Sequence, residues 1–214
     1  MAPKTSADDK PPVATIQLKR LEQAEQTFKI EGLTPVIPHR WAEKSKRLMR
    51  EKQMNPGAVR VKKEAKDPEA EAMDSCYWLP PLEGSSESRP ALPATAFKAA
   101  MVHACRLFEG ISMVQAKSLF YVVGESDEQL VPIEGVVRQR EDTPRNASGV
   151  ADLRYRLQFN DWKASITVRF TKAAISAESI AALLDAGGRG GVGDWRPSSP
   201  KSATGTYGQF KVVE

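Results

Sequence analysis

The side chains best suited to chemistry in this sequence are cations and a few aromatics, and what they suit is the holding of a polyanion. Between Arg40 and Lys66 stand ten basic residues (Arg40, Lys44, Lys46, Arg47, Arg50, Lys52, Arg60, Lys62, Lys63, Lys66) against three acidic ones. The whole 214-residue chain carries +4, so this stretch at +7 leaves the remainder at −3. A concentrated basic segment on a near-neutral body is what a nucleic-acid binder presents to phosphates, although a solvated helix face has the same composition.

A second group lies near the C-terminus: Gly188, Arg189, Gly190, Gly191, Gly193, Trp195, Arg196, Lys201 and Tyr207. Glycines let a backbone approach a phosphate chain and turn its amides toward it. Arg189, Arg196 and Lys201 add charge, while Trp195 and Tyr207 offer flat faces for bases. The spacing Gly188-x-Gly190-x-x-Gly193 matches a dinucleotide fingerprint, which must follow a strand and open a helix. Here the run follows a helix and opens a long loop, so the Rossmann reading is rejected. The plain alternative is a flexible connection with no ligand. Tyr155, between Arg154 and Arg156, fits a core as well as it fits stacking, and Trp162 is a weaker candidate.

Catalytic groups are sparse. His39 and His103 are the two histidines, and His103 and Cys105, two residues apart, point to different sides of a helix. The pairs Asp127-Glu128 and Glu141-Asp142 sit in charged stretches without apolar surroundings to tune them. No HExxH, GxSxG or GxxxxGK[ST] pattern occurs, and two cysteines cannot form a disulfide framework or a four-thiolate zinc site. A non-enzyme without cofactor or metal is expected. With 41% hydrophobic and 27% charged residues and a mean hydropathy of −0.43, the chain is expected to pack a core, and it has no apolar run of membrane-spanning length. The first residues lack the apolar region of a secretory signal, so the expectation is a soluble, cytoplasmic protein with no membrane partner.

The elements that must position these residues follow from periodicity. Residues 1–12 read as a disordered tail. Thr15–Leu21 and Gln26–Leu33 alternate as one long strand or a hairpin. A basic helix is expected over about 40–53, stopped by Asn55-Pro56-Gly57, within an insertion at 38–75 whose later part is loop-like. Ala96–Phe108 is an amphipathic helix introduced by Pro93 and Thr95. Strands are expected over 118–124 and 130–137, with a charged loop over 138–150. Leu153–Phe159 and Lys163–Phe170 read as a hairpin about Asn160-Asp161. Ser176 caps a helix ending at Gly187, a glycine-rich loop follows, and Gln209–Val213 closes the chain as a strand. The fold class is α+β, a ferredoxin-like or RRM-like antiparallel sheet with two helices and a basic inserted segment, forming one domain over 13–214.

Leu92-Pro93-Ala94-Thr95-Ala96-Phe97-Lys98 and its continuation to Arg106 resemble the entry into the first helix of RAMP-type proteins, the ferredoxin-like RNA-binding subunits of CRISPR effector complexes. Leu183–Gly193 and Gly205–Phe210 are similar to the glycine-rich loop and closing strand of that family. Ala94 and Ala99 stand where it often has glycine, and residues 194–203 lengthen the loop. The C-terminal segment also looks like that of small bacteriophage proteins. The resemblance implies a non-catalytic backbone-type subunit that binds one strand of RNA or DNA by its phosphates and self-associates along it. Lys98, Arg106, Gly188, Arg189, Gly190, Gly191 and Gly193 would be its strand contacts, joined by Lys44, Arg47, Arg50, Trp195, Arg196, Lys201 and Tyr207. A phage structural or assembly protein that forms homo-oligomers without nucleic acid is the alternative, and a ribonuclease using His39 or His103 is the third reading.

Overall fold

The computed structural model describes residues 18–55, 65–144, 149–200 and 203–213. In chain order the elements are β1 (Gln23–Gly32), α1 (Glu43–Met54), α2 (Pro68–Asp74), β2 (Tyr77–Leu79), β3 (Arg89–Pro93), α3 (Ala94–Ala104), α4 (Met113–Leu119), β4 (Phe120–Val123), β5 (Leu130–Pro132), β6 (Glu134–Asp142), β7 (Arg154–Thr171), α5 (Ala177–Gly190) and β8 (Phe210–Val212).

Five strands make the main sheet: four run in the order β4-β7-β1-β8 and β6 pairs with β7 off this path, every neighbouring pair antiparallel. Read along the chain, β1-α3-β4-β7-α5-β8 is a βαββαβ unit whose sheet order is second-third-first-fourth. This is the ferredoxin-like arrangement that the sequence pattern and the family resemblance both imply. One face of the sheet supplies Phe28, Ile30, Phe120, Val122, Ile166, Val168 and Phe170 to the core. Against it α3 sets Phe97 and Met101, and α5 sets Ile180, Leu183 and Leu184, all buried. A smaller antiparallel sheet, β2-β3-β5, lies apart from the main one.

Helix ends follow local chemistry. The Ser176 hydroxyl accepts a bond from the Ser179 amide, the cap anticipated from sequence. Ser112 and Gln115 form a reciprocal capping box that starts α4, a helix absent from the sequence expectations, whose last two residues fall in the strand expected over 118–124. Asp67 caps α2 through the Glu69 and Ala70 amides.

Three sequence expectations are corrected. The hairpin at Asn160-Asp161 is instead a bulge inside one continuous 18-residue strand, β7. Glu134 and Val136 of β6 oppose Lys163 and Asn160, so β7 carries an extra residue there, and Asp161 takes φ +48°. The bulge flips the buried phase from Leu157 and Phe159 to Trp162, Ala164 and Ile166, and in sequence such a flip looks like a turn. Residues 138–142, expected as loop, belong to β6, whose partner is the N-terminal half of β7. Third, α5 does not stop at Gly187; it runs through Gly188, Arg189 and Gly190. Among the described residues no helix is long and apolar enough to cross a membrane.

Candidate nucleic-acid interface

Residues that alternate along a strand share a face, so Arg138 and Arg140 on β6 lie on the same side of the ribbon as Arg154 and Arg156 on β7. Arg140 and Arg156 are directly opposite partners across the two strands. Like charges in that position repel, and the surroundings answer each separately. Asp142, itself buried, accepts from Arg140 through Nε at 3.0 Å and Nη2 at 2.7 Å, and Gln158 Oε1 accepts from Nη1 at 2.7 Å. Asp194 accepts from Arg156 Nη1 at 2.6 Å, and Arg156 is only 4% exposed.

Over this pair folds the segment after α5. Its Asp194 amide donates to the Ile37 carbonyl, Tyr207 donates its amide to the Trp195 carbonyl, and the Trp195 amide donates to Asp194 Oδ1. Trp195 is held at φ +53°, a conformation of the kind that surrounding structure must enforce. The Trp195 and Tyr207 rings lie 6.0 Å apart, tilted by 58°, and the Arg140 guanidinium is 4.9 Å from each. Arg156 adds a second cation 5.4 Å from Trp195. Burial works against the Arg140 charge, yet hydrogen bonds to Asp142 and Tyr207 outweigh it and raise its pKa. His39 completes the cluster with Nδ1 3.6 Å from Asp194 Oδ2. Burial holds its pKa below the ordinary value; Asp194 opposes this, and Arg156 and Arg154 reinforce it.

Trp195 and Tyr207, separate candidates in the sequence, are thus together, with guanidinium groups already stacked on them. Arg140 and Arg156 were missed. Their signal was the Arg-x-Arg spacing at 138–140 and 154–156, visible as one face only once residues 138–142 are read as a strand.

The remaining predicted residues lie elsewhere. Lys44, Arg47 and Arg50 sit on α1, which buries none of its residues; Arg47 Nε is 3.8 Å from Glu51. Lys98, on α3, donates to the Lys117 carbonyl at 2.9 Å and stands 4.1 Å from the centre of the Tyr121 ring. Burial lowers its pKa. Arg106 reaches Met113 Sδ at 3.1 Å. Tyr121 opposes Arg169 on β7, thirteen residues from Arg156, so this helix pair is roughly 40 Å along the strand from the arginine cluster. Arg196 donates to the Gly193 carbonyl at 2.9 Å, and Arg189 is exposed on the last turn of α5. Arg60, Lys62, Lys63 and Lys201 lie outside the described residues.

The glycine run is not an open loop. A Cβ on Gly188 would collide with the Phe210 carbonyl, and one on Gly187 would press on the Ala100 backbone at 3.0–3.2 Å. Gly191 closes the helix at φ +69°, with its amide bonded to the Gly187 carbonyl. The Val192 amide goes to Gly208. These amides are spent inside the fold, and Gly187 and Gly188 serve close packing of α5 against α3 and β8.

No family model and no curated protein matches the sequence. Among solved structures, a chain in the cryo-EM structure of the type III-B Cmr-beta complex bound to cognate target RNA is similar, with TM-score 0.46 and 11% identity, over 90% of this chain and 59% of that one. This chain therefore spans well under two thirds of that relative. The crystal structure of Cmr6 from Pyrococcus furiosus is similar at TM-score 0.42 and 10% identity, over 91% of this chain and 100% of that one. Likeness at this level does not assign a function.

Proposed function

We propose that this protein is a non-catalytic single-stranded nucleic-acid-binding subunit that self-associates along its ligand, in the manner of the effector backbone subunits its sequence resembles and as a phage-type relative of them. The observation that carries the reading is the arginine–aromatic cluster: Arg140 and Arg156, paired across β6 and β7 beneath Trp195 and Tyr207. It brings the half-buried Arg140, Trp195 and Tyr207 together over the buried Arg156–Asp194 pair, a cation and two rings that would take a phosphate and its neighbouring base. The exposed basic face of α1 adds charge without a stability cost, because none of its residues is buried.

Neutralising six phosphates on a single strand predicts a log–log salt slope of roughly −4. The test is size-exclusion chromatography with light scattering, before and after nuclease treatment and with labelled oligonucleotide added, followed by a salt titration of any complex. Co-purifying nucleic acid, whose removal collapses the assembly, is the expected result. Salt-insensitive binding, or no binding, overturns the proposal.

The second reading, an assembly protein that oligomerises without nucleic acid, is favoured by one specific feature. The rings of Trp195 and Tyr207 and the amides around Gly191 are already occupied within the chain. It predicts a defined oligomer free of nucleic acid and indifferent to added oligonucleotide.

A further inference from the structure

Beside the arginine–aromatic cluster, the same face of the β6–β7 ribbon carries a chain of side-chain hydrogen bonds with a fixed direction. Arg140 donates to Asp142 Oδ1 through Nη2 and to Gln158 Oε1 through Nη1, both at 2.7 Å, and Gln158 Nε2 donates to Asn160 Oδ1 at 2.7 Å. A guanidinium has donors only. Gln158 must therefore turn its oxygen to Arg140 and its nitrogen to Asn160, and Asn160 must answer with its own oxygen. What remains at the end of the chain is the Asn160 NH2 group. No buried side-chain nitrogen or oxygen among the described residues lacks a partner. This NH2, which bonds to no described residue, therefore reaches solvent.

Arg138 stands next to it. It lies directly opposite Gln158, hence on the same face, and diagonal to Asn160, a separation that a long side chain spans. Arg140, Arg154 and Arg156 are each held by a carboxylate. Arg138 is exposed and its side chain pairs with no described residue. An unpaired guanidinium and an outward NH2 make a patch that only donates. The neighbouring Asp161 is exposed in the bulge, which leaves little net charge to hold a free anion. The ligand that suits the patch is an acceptor group already delivered by the contact next to it.

We propose that Arg138 and the Asn160 NH2 hold the strand phosphodiester adjacent to the one taken at Arg140. A phosphodiester is negative and accepts at both free oxygens, the complement of a donor-only patch. Arg138 is two residues from Arg140, about 7 Å at strand rise, so one strand can meet both. This rests on the proposed function and deepens it with a second backbone contact, one that carries no sequence preference.

The test measures the affinity of the full chain for labelled oligo-dT and oligo-dA over a salt series, in the wild type and three variants. Asn160→Asp still accepts from Gln158, so the chain of bonds stands and only the outward donor becomes an acceptor. Arg138→Gln removes a side chain that holds nothing in the fold. Lys172→Gln removes the same charge just past the far end of β7, where it is exposed. Asn160→Asp is expected to weaken binding to both oligonucleotides about tenfold or more, the worth of a hydrogen bond to a charged group. Arg138→Gln is expected to weaken both and to reduce the salt slope by about 0.7. Lys172→Gln should change affinity by less than about twofold, since charge at that distance is screened. Unchanged affinity in Asn160→Asp or in Arg138→Gln, an equal loss in Lys172→Gln, or a loss confined to one homopolymer overturns the assignment and leaves the proposed function standing. A wild type that binds neither oligonucleotide overturns both.

Discussion

Arg156 shows how one residue can bind two parts of this chain that are distant in sequence. It reaches from the middle of β7 to Asp194, and Asp194 in turn is fixed by its amide to Ile37 and faces His39. Removing one member of a buried pair strands the other charge, which typically costs 3–5 kcal/mol. Asp194 keeps 28% side-chain exposure, so Arg156→Ala is expected near the low end, about 3 kcal/mol by denaturant unfolding. A loss under about 0.5 kcal/mol would mean the pair does not hold the 191–208 segment in place. The thiols give a pH prediction. Burial raises the Cys76 thiol from an ordinary 9.0 to about 11. An unfolded chain ionises this thiol near 9 while the native one resists, so its contribution to stability is present below pH 9 and lost as pH rises toward 11. At pH 8, Cys76 and Cys105 should react with a thiol reagent only after denaturation; rapid labelling of native protein would contradict the buried placement.

At the scale of elements, the last turn of α5 separates two readings of its glycines. Gly188→Ala drives a methyl into the Phe210 carbonyl that β8 supplies, and overpacking of this kind costs about 1–3 kcal/mol. Gly190→Ala meets only Ser198 at 3.3 Å and gains helix propensity of up to about 1 kcal/mol. The expected melting temperatures therefore fall for Gly188→Ala and hold or rise for Gly190→Ala. If both variants keep wild-type stability and both lose oligonucleotide binding, the run is a phosphate cradle after all. The bulge in β7 acts on the same scale. It keeps Trp162 in the core, its Nε1 donating to the Thr34 carbonyl at 2.9 Å, while Arg156 and Arg154 stay on the face shared with Arg140.

For the molecule as a whole, the proposed function separates charge from stability. Reversing Lys44, Arg47 and Arg50 to Glu touches a helix with no buried residue, so the thermal midpoint should stay within about 6 °C, since three exposed changes cost under about 0.5 kcal/mol each. Oligonucleotide affinity should fall by well over tenfold, and the salt slope should shrink by about two, at 0.7 per lost phosphate contact. Equal affinity in the variant would remove α1 from the interface. The open main-sheet face between the two ends carries cross-strand ion pairs, Glu25 with Arg169 and Glu31 with Lys163, and Lys29 and Lys211 on the same face bring it to four cations against two carboxylates.

The sequence by itself determined the α+β class, the two core helices, the closing strand and the Ser176 cap, because alternation, helical spacing and capping chemistry are local and act within a few residues. It also brought Trp195 and Tyr207 forward as separate candidates, and the tertiary structure made them a pair. It did not reveal that Arg154–Thr171 is one strand: a bulge and a turn share the same signature of a shifted alternation, and only the partners, β6 and β1, distinguish them. It did not reveal Arg140 opposite Arg156, whose pairing depends on register across sixteen residues. Nor did it reveal that Gly187 and Gly188 are packing positions, since a glycine that admits a phosphate and one that admits the Phe210 backbone are the same residue until tertiary structure brings up what lies 3 Å away.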